Sequence, residues 1–296
     1  MGAGIAPDGP VLVTGASGQV GEGVVDRLRA AGRPVIALRH RSDVAARWPG
    51  IDWVAADLKN GTVDFGGRRP VAVVHAAGLW MLPPHLPGLI EAGVRRVVCF
   101  GSTSLFGKLG SVDSAERRMV ERLATAEAAV AEICDAAAIA WTVLRPNLIY
   151  GRGTDRNVTS AARFILRTGV YPIAAPASGL RQPVHADDLG AAAIAALEAP
   201  ATAGRAYNLG GGETLTYREM IGRIFDALGK PRRLLPVPGL ASLVGAAGVL
   251  LRKPSLNADV IRRMNRDLAF DDGAAGRDFG YAPRPFLSGG RADLGL

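Results

Sequence analysis

Three glycines follow the first strongly apolar run of the chain at regular intervals. In "VLVTGASGQVGEGVVDRL", Gly15, Gly18 and Gly21 lie between a strand-like run and an amphipathic helix-like run. Glycine permits a tight turn at the first position, close approach of the backbone to a pyrophosphate at the second, and close packing of the helix at the third. The start of the helix then presents N–H groups and its positive dipole end to phosphates. This pattern predicts a dinucleotide-binding loop, the alternative being a structural glycine-rich turn.

The end of the second strand-like run bears on which dinucleotide would bind. An acidic residue there hydrogen-bonds the ribose hydroxyls of NAD, whereas an arginine accommodates the 2′-phosphate of NADP. The run ends "ALRHRS", with Arg39 where the NAD-preferring pattern has Asp and Arg41 nearby. We therefore expect NADP rather than NAD, unless both arginines are merely solvated.

The motifs, taken in order, resemble the short-chain dehydrogenase/reductase superfamily, and specifically its extended and atypical branches with the NAD-dependent epimerases and dehydratases. After the glycine loop come "AADL", "HAAG", "FGSTSLFG", "LRPNLIYG", "LRQPVHADDLGAA" and "YNLGGGETLT", so the resemblance covers nearly the whole chain. It implies a cofactor bound by Gly15, Ser17, Gly18, Gln19, Val20, Gly21, Arg39, Arg41, Asp57, Leu58, Ala76, Ala77, Gly78, Pro146 and Asn147.

The resemblance also implies where a substrate would react. In this superfamily a Ser or Thr polarises the substrate carbonyl, a Tyr transfers the proton, and a Lys four residues later lowers the pKa of that Tyr. Counting back five residues from Gly107 puts Ser102 in the Ser/Thr position, with Thr103 close to it. The alternative is a hydroxyl that only caps the turn at the end of the strand.

The Tyr and Lys are missing from the helix that should carry them. Glu127 lies eighteen residues before Arg145, which sets the family register and places Met119 at the Tyr position and Leu123 at the Lys position. Neither side chain can move a proton. No other alignment restores the pair, because the first tyrosine of the chain is Tyr150. The sequence therefore resembles atypical members rather than standard dehydrogenases.

Other groups are candidates to replace the missing pair. Arg118 and Arg122 keep the four-residue spacing but are displaced by about 100° around the helix, so we expect them to face solvent. Lys108 follows the active-site strand, within reach of a cofactor phosphate or substrate. His75 ends the fourth strand, where we expect a hydrogen-bonded structural histidine. Tyr150 follows "RPN", and its family counterpart usually packs between domains, so we keep it only as an alternative donor.

One arginine of the second half is a candidate for substrate binding. "GLRQPVHADDL" resembles the segment of nucleotide-sugar epimerases and dehydratases in which an Arg contacts substrate phosphate, and this places Arg181 in that role. The alternative is an interdomain salt bridge from Arg181 to Asp187 or Asp188. The four histidines show no metal-ligand spacing, so we expect no metal.

Strand-like and helix-like runs alternate through the first half and must position these residues. Strands are expected near residues 11–14, 35–38, 53–55, 71–75, 97–100 and 141–144, and helices at about 20–31, 86–93 and 114–137. Several strands are continuous apolar runs, as strands covered on both faces should be. The pattern predicts an α/β fold, a Rossmann-type doubly wound parallel sheet with a smaller C-terminal substrate domain.

The second half divides between the two expected domains. We expect an NAD(P)-binding domain of residues 1–151 and about 183–210, because "HADDLGAAAIAALEA" and "RAYNLGG" again look like a helix and a strand of the sheet. The substrate-binding domain would comprise about 152–182 and 211–296. The segment "LWMLPPHLPGLIEA" is too short and proline-rich for the long helix by which extended members commonly dimerise, so the oligomeric state stays open.

Composition narrows the class of partner. The formal net charge is +8, but no Lys/Arg run exceeds two residues and aromatics make up only 6%, which favours an anionic small ligand over nucleic acid. Cys99 and Cys134 lack CxxC spacing, and the N-terminus lacks a secretory pattern, so we expect buried thiols and a cytoplasmic protein. The apolar run Leu234–Leu251 is interrupted by Pro and Gly, which favours a core or lid helix over peripheral membrane contact or a stable membrane span.

Two functions remain open. The first is an NAD(P)-dependent oxidoreductase or epimerase that exchanges hydride with a sugar-nucleotide or other carbonyl/alcohol substrate. The second is a non-catalytic NADP-binding sensor or scaffold, in which the replacements at Met119 and Leu123 reflect loss of redox turnover. The identity of the substrate is beyond the sequence.

Overall fold

Seven parallel strands form one sheet in the part of the chain that the structure, a computed structural model, describes: residues 8–39, 48–59, 63–108, 111, 113–250 and 258–296. The strands are β1 (Val11–Thr14), β2 (Val35–Arg39), β3 (Asp52–Ala55), β4 (Ala72–His75), β5 (Arg96–Phe100), β6 (Ala140–Pro146), β7 (Leu148–Tyr150), β8 (Tyr171–Ile173), β9 (Leu180–Arg181), β10 (Pro183–His185), β11 (Arg205–Leu209), β12 (Leu215–Thr216) and β13 (Leu234–Pro236). The large sheet has the order β3-β2-β1-β4-β5-β6-β11.

Helices cover both faces of this sheet. They are α1 (Gln19–Ala30), α2 (Leu86–Glu91), α3 (Ser104–Gly107), α4 (Ser114–Ala136), α5 (Val158–Thr168), α6 (Ala186–Glu198), α7 (Tyr217–Ala227), α8 (Leu240–Leu250), α9 (Ala258–Arg262) and α10 (Gly273–Phe279). Alternate β1 residues explain the two layers, since Val11 and Val13 pack with α1 and α6 while Leu12 packs with α2 and α4. The expected doubly wound α/β fold is confirmed.

The helix α4 illustrates how the sequence specifies an element. Its N-cap Asp113 accepts a hydrogen bond from the Ala115 backbone N–H at 2.8 Å. The residues that it buries recur every three or four positions: Val120, Leu123, Ala126, Val130 and Cys134. That spacing makes one apolar face, which rests on the sheet.

The remaining elements form a smaller layer beside the carboxyl edge of the sheet. β7 pairs with β10, β8 with β13 and β9 with β12, each as a two-stranded sheet. Helices α5 and α7 pack together over a separate apolar cluster that contains Tyr150, Ile165, Phe225 and Phe286. After these elements begin, the chain returns to the main sheet, where β11 is the edge strand beside β6 and α6 packs on one face.

The apolar run of residues 234–251 divides into β13 and α8, and Leu251 itself lies outside the described residues. Leu240 is buried against Ile173 and Ile261, whereas Leu243 is 59% exposed. Among the described residues, no helix combines the length and the apolar character needed to cross a membrane.

Candidate functional site

The glycine loop between β1 and α1 is shaped by close backbone contacts. Gly15 has φ +68°, and a Cβ on it would lie 2.7 Å from the Ala76 carbonyl group and the Ala77 nitrogen. A Cβ on Gly21 would lie 2.1 Å from the Gly15 oxygen. The N-cap of α1 is Gly18, which has no side chain to accept from the first N–H groups of the helix. The loop therefore lies tight against the end of β4 and leaves those N–H groups to a ligand.

A cavity of about 270 Å³ opens at one end of this loop, beside the ends of β2 and β3. It is lined by Gly15, Ser17, Leu38, Arg39, Ala56, Asp57, Leu58, Lys59, Ala77 and Met81. The Arg39 Nε atom is buried, yet it has no hydrogen-bond partner among the described residues. Arg41 lies outside those residues, so its expected contact stays a prediction.

A second cavity, of about 310 Å³, lies at the other side of the loop and shares Ala77 with the first. It is lined by Val20, Ala76, Ala77, Gly78, Leu79, Trp80, Phe100, Gly101, Ser102, Ser104, Met119, Leu123, Pro146 and Ile149. Because the strands are parallel, the ends of β4, β5 and β6 meet here, and β1 and β4 adjoin where the strand order reverses. The two cavities together form a cleft, which we call the cofactor cleft.

Three hydroxyl-bearing residues follow β5, and their side chains point in different directions. Ser102 and Ser104 line the cleft, and their Oγ atoms are 3.0 Å apart in a hydrogen bond. Ser102 Oγ also accepts from the Ser104 backbone N–H. Thr103 is 4% exposed, and its hydroxyl donates to the Pro146 carbonyl at 3.3 Å. The Thr103 hydroxyl is therefore turned into the protein, which contradicts its prediction as a substrate contact, whereas Ser104 lines the cleft.

The register of α4 agrees with the family alignment. Arg145 Nε donates to Glu127 Oε2 at 3.1 Å, and a second guanidinium N–H reaches the other carboxylate oxygen. In this register Met119 and Leu123 both line the cleft beside Ser102. Met119 is 40% exposed, whereas Leu123 is buried. Among the described residues that line this part of the cleft, none has a titratable side chain.

His75 holds the "HAAG" loop and takes no part in the cleft surface. Its Nε2 faces the Gly78 carbonyl at 3.1 Å, and since that oxygen can only accept, Nε2 carries the proton. Its Nδ1 then accepts from the Thr14 hydroxyl at 2.6 Å. Complete burial lowers the pKa of His75 to about 4, against a smaller opposing effect of the Gly78 hydrogen bond. The expected structural, neutral histidine is confirmed.

The other candidate donors have partners elsewhere. Lys108 Nζ pairs with Glu116 at 3.0 Å. Tyr150 is fully buried, and its hydroxyl accepts from the Leu287 backbone N–H at 3.1 Å; burial raises its pKa to about 12. Arg122 is exposed and lies over the ring of Trp80, 4.6 Å from its centroid; Trp80 lines the cleft, but Arg122 itself does not.

Arg181 is enclosed by its own domain in this structure. It is 3% exposed, it donates to the carbonyl groups of Leu180, Arg263 and Arg266, and it stacks over Tyr217. Burial lowers its pKa to about 10. The alternative salt bridge is wrong, because Asp187 pairs with Arg152 and Asp188 with Arg284.

Asn147 and Gln19 lie beside the cleft rather than in its lining. Asn147 Nδ2 donates to the Leu268 carbonyl at 2.7 Å, which turns the amide toward the second domain. This corrects Asn147 as a cofactor contact in the present arrangement. Gln19 Oε1 accepts from the Thr154 hydroxyl at 3.2 Å. Both amides therefore bind residues that lie later in the chain.

Sequence reasoning missed Ser104, Leu79 and Trp80 as cleft residues. Ser104 stands within the quoted "FGSTSLFG", but which of three successive hydroxyls turns inward depends on where α3 begins. Leu79 and Trp80 belong to the proline-rich segment, which forms short 3₁₀ turns at residues 79–81 and 83–85. No periodicity identifies a residue of such a turn as part of a binding cleft.

Comparison with known proteins places these observations in a family. The model of the NAD dependent epimerase/dehydratase family matches residues 11–83 and 87–210. An uncharacterized protein of Mycobacterium tuberculosis is 29% identical over 226 residues, which are 75% of this chain and 23% of that protein. The chain thus spans about a quarter of the length of the curated relatives that it matches first.

A shorter relative and a solved structure are similar over more of their length. The (4-alkanoyl-5-oxo-2,5-dihydrofuran-3-yl)methyl phosphate reductase of Streptomyces griseus is 29% identical over 236 residues, which are 75% of each chain. The crystal structure of UDP-glucose 4-epimerase from Thermotoga maritima with UDP-glucose has a TM-score of 0.70 at 20% identity and covers 97% of both chains. At that identity the likeness shows the fold alone.

Proposed function

The chain belongs to the NAD dependent epimerase/dehydratase family, and we propose that it is an NADP-dependent oxidoreductase or epimerase that exchanges hydride with a carbonyl or alcohol group. The observation that carries this proposal is the cofactor cleft, which runs from Arg39 through Ala77 to Ser102 along the carboxyl edge of the sheet. Ligands of doubly wound sheets bind at this edge, where the strand order reverses.

The residues present fit a phosphorylated dinucleotide. A Cβ at Gly15 or Gly21 would fill the tight turn in front of the first N–H groups of α1, so the glycines preserve a cradle for phosphates. The unpartnered Arg39 Nε supports NADP, because the 2′-phosphate would supply an acceptor beside the adenine cavity. Bound there, the cofactor would supply a hydride donor or acceptor at its nicotinamide.

Ser102 and Ser104 would orient the substrate. Whichever hydroxyl donates in their mutual hydrogen bond, the accepting hydroxyl keeps its own hydrogen for a substrate oxygen. Such a donor stabilises negative charge that develops on that oxygen. Met119 and Leu123 would exclude water from one side of the reacting carbon.

The proton that balances hydride transfer would come from water. Ser102 and Ser104 are far too weak as acids to be consumed as donors, and no other proton donor lines this part of the cleft among the described residues. We therefore propose slow turnover, or a substrate whose oxyanion leaves the cleft before it is protonated. Both outcomes follow from the replacements at Met119 and Leu123.

We propose a sugar-nucleotide or another anionic carbonyl/alcohol as the substrate class. The name of the Streptomyces griseus relative describes a phosphate that carries oxo and alkanoyl groups, which accords with the net charge of +8. The substrate would be held by residues 152–182 and 211–296, against a cofactor domain of 1–151 and 183–210. An Arg181 contact to its phosphate would require that the guanidinium exchange at least one backbone carbonyl for the ligand.

A non-catalytic NADP-binding protein is the second candidate, and one observation favours it. The cleft keeps its phosphate cradle and Arg39 while the positions beside Ser102 carry Met119 and Leu123. An NADP sensor requires only that the binding of NADP be retained. For either function we propose the cytoplasm, because Cys99 and Cys134 are buried free thiols, which suit a reducing compartment.

Binding and turnover measured together test the proposal. We expect NADPH to bind more tightly than NADH in calorimetry, and Arg39→Asp to reduce that ratio by about tenfold or more, because it replaces a phosphate donor by a repelling charge. Arg69→Asp changes the net charge equally at an exposed position outside the cleft and should leave the ratio unchanged. NADPH oxidation with any member of a carbonyl panel supports the enzyme. Tight binding without oxidation over a broad panel supports the sensor, and no binding contradicts both.

A further inference from the structure

The second domain contains a cavity of about 310 Å³ that the cofactor cleft does not include. Its walls come from α5, α7, α8 and α9. No described residue lines both this cavity and the cleft beside Ser102. Leu148 and Ile149, adjacent on β7, point to opposite faces, so that Leu148 enters the cavity and Ile149 the cleft. We call this space the second-domain cavity.

The walls of the second-domain cavity are apolar. Phe164, Met220, Ile221, Val244 and Ile261 contribute to this surface from four different helices. Its volume equals that of about ten water molecules in the liquid, which puts it at the small end of ordinary ligand pockets. An apolar enclosure of this size favours a hydrocarbon group.

The polar groups in the wall are already matched to each other. Tyr171 and Tyr217 join their hydroxyls at 3.0 Å, and burial raises the pKa of both, so they stay uncharged. Arg181 stacks on the outer face of Tyr217 and donates to backbone carbonyls. A nucleobase or sugar in this space would leave its own polar groups without partners, which costs binding energy.

The mouth of the cavity carries a cation. Arg156, Asn157 and Ser160 lie exposed at the start of α5 and line the entrance. Arg156 forms no ion pair with any described carboxylate. The adjacent Asp155 is buried and accepts from the backbone N–H groups of Asn157 and Thr159, so it is turned away from the entrance.

We propose that the second-domain cavity binds the aliphatic chain of an amphiphile whose carboxylate head is held at the mouth by Arg156. A methylene group is similar in size to a water molecule, so the volume accommodates a chain of roughly ten carbons. The apolar wall selects the chain, and the single cation selects an anionic head. This inference rests on the proposed function, because nearly all residues that line the cavity belong to the segments 152–182 and 211–296 proposed to hold the substrate. Carboxylate binding and NADPH binding are measured separately, so that either can fail without the other.

Calorimetric titration of the full chain with alkyl carboxylates from hexanoate to tetradecanoate tests this site, with and without NADPH. We expect the affinity to rise about fourfold per added CH₂ and to level off near decanoate, because a cavity of this volume shelters only a limited length of chain from water. Adsorption to an open surface would show no such limit. No binding across the series, or an affinity that still rises at tetradecanoate, would overturn the proposal.

Variants at the cavity identify the place of binding. Ser160→Trp at the mouth and Val244→Trp in the wall should each weaken decanoate binding by about tenfold or more, whereas Leu166→Trp, exposed on the same helix α5 outside the cavity, should not. Thermal unfolding shows that each variant is folded. Equal affinities in all three variants, or uridine diphosphate that displaces decanoate, would contradict an aliphatic occupant.

The head group is tested by charge. Arg156→Gln should weaken the binding of decanoate about threefold and leave the binding of decanol unchanged. An exposed ion pair contributes little to affinity, but its contribution depends on the anion. Arg167→Gln removes the same charge from an exposed position of α5 that does not line the cavity, and should change neither ligand. An equal loss for decanoate and decanol in Arg156→Gln would overturn the assignment of the head to Arg156.

Discussion

At the scale of single residues, the part of the cleft beside Ser102 offers a substrate one hydroxyl hydrogen and, among its described lining residues, no titratable group. We expect Ser102→Ala and Ser104→Ala each to lower kcat/KM by about a hundredfold for any carbonyl substrate that turns over, because each removes a member of the pair that donates to the developing oxyanion. Thr103→Ser keeps a hydroxyl beside the Pro146 carbonyl and should leave kcat/KM unchanged. The measurement is NADPH oxidation. Equal losses in all three variants would contradict the separate role of the two serines.

His75 predicts how stability depends on acid. Burial lowers its folded pKa to about 4, below the ordinary value of 6.5, so between these pH values the unfolded chain binds a proton that the folded chain does not. Stability should therefore fall as pH decreases through this window, by about 3 kcal/mol, and this contribution should level off below it. The free energy of unfolding in urea at several pH values measures the slope.

In the variant His75→Gln the free energy of unfolding should no longer fall in this way between pH 6.5 and 4. We expect the variant to be less stable at neutral pH, because glutamine packs less well in this site. His85→Gln changes a histidine whose Nε2 contacts the Leu58 carbonyl at 3.0 Å, and should keep most of the slope, because the charge of His85 is the smallest of the three effects on the pKa of His75. An unchanged slope in His75→Gln would contradict a buried neutral imidazole.

At the scale of elements, the helix α1 depends on the absence of a side chain at its start. Gly21→Ala places a Cβ 2.1 Å from the Gly15 oxygen, which only a shift of backbone can relieve. We expect a loss of about 1–3 kcal/mol in the free energy of unfolding, together with weaker NADPH binding, because the phosphate cradle moves with the helix.

A matched glycine provides the control for that substitution. Gly88 lies exposed within α2, and nothing is within 4 Å of a Cβ built on it. Gly88→Ala should therefore stabilise the protein by about 0.5–1 kcal/mol and leave NADPH binding unchanged. Thermal and urea unfolding, with calorimetry, check both variants. If Gly21→Ala and Gly88→Ala changed stability and NADPH binding by similar amounts, helix propensity rather than the close contact with the Gly15 oxygen would decide the effect.

The bounds of the strands and helices also show how much of the secondary structure sequence patterns predict. The six strands and three helices expected in the first half form within one or two residues of their expected ends, because buried parallel strands and amphipathic helices have distinct apolar patterns. The short turns around Leu79 and the start of α3 lack such a pattern. Their side chains enter the cleft only because α4 packs beside them.

At the scale of the whole molecule, Glu116 connects two segments that are far apart in the chain. It pairs with Lys108 at 3.0 Å and with Arg263 at 2.7 Å, and it accepts from the Ser111 hydroxyl. Burial alone would raise its pKa, but these donors outweigh that effect and lower the pKa to about 2. The start of α4 is thereby tied to the segment after α9.

The lowered pKa of Glu116 predicts a second loss of stability in acid. Since the folded pKa of Glu116 lies below the ordinary 4.5, its contribution to stability is present above pH 4.5 and is lost as pH falls toward 2. Glu116→Gln should lower stability at pH 7 and flatten the urea-unfolding slope within this window only. Asp113→Asn, a nearby exchange at the N-cap of α4, is the control. A slope flattened only above pH 4.5 in Glu116→Gln would contradict the assignment.

The sequence by itself determined the fold class, the glycine loop, the position of Ser102 and the register of α4, because each rests on a local pattern of spacing or apolar periodicity. Only the tertiary structure decided which side chains reach the cleft. Thr103 and Asn147 turn toward Pro146 and Leu268, Ser104 turns inward, and Arg181 is enclosed by carbonyl groups. These side-chain orientations depend on partners that are distant in the chain. Local patterns of spacing and apolar periodicity do not show which distant residues come into contact.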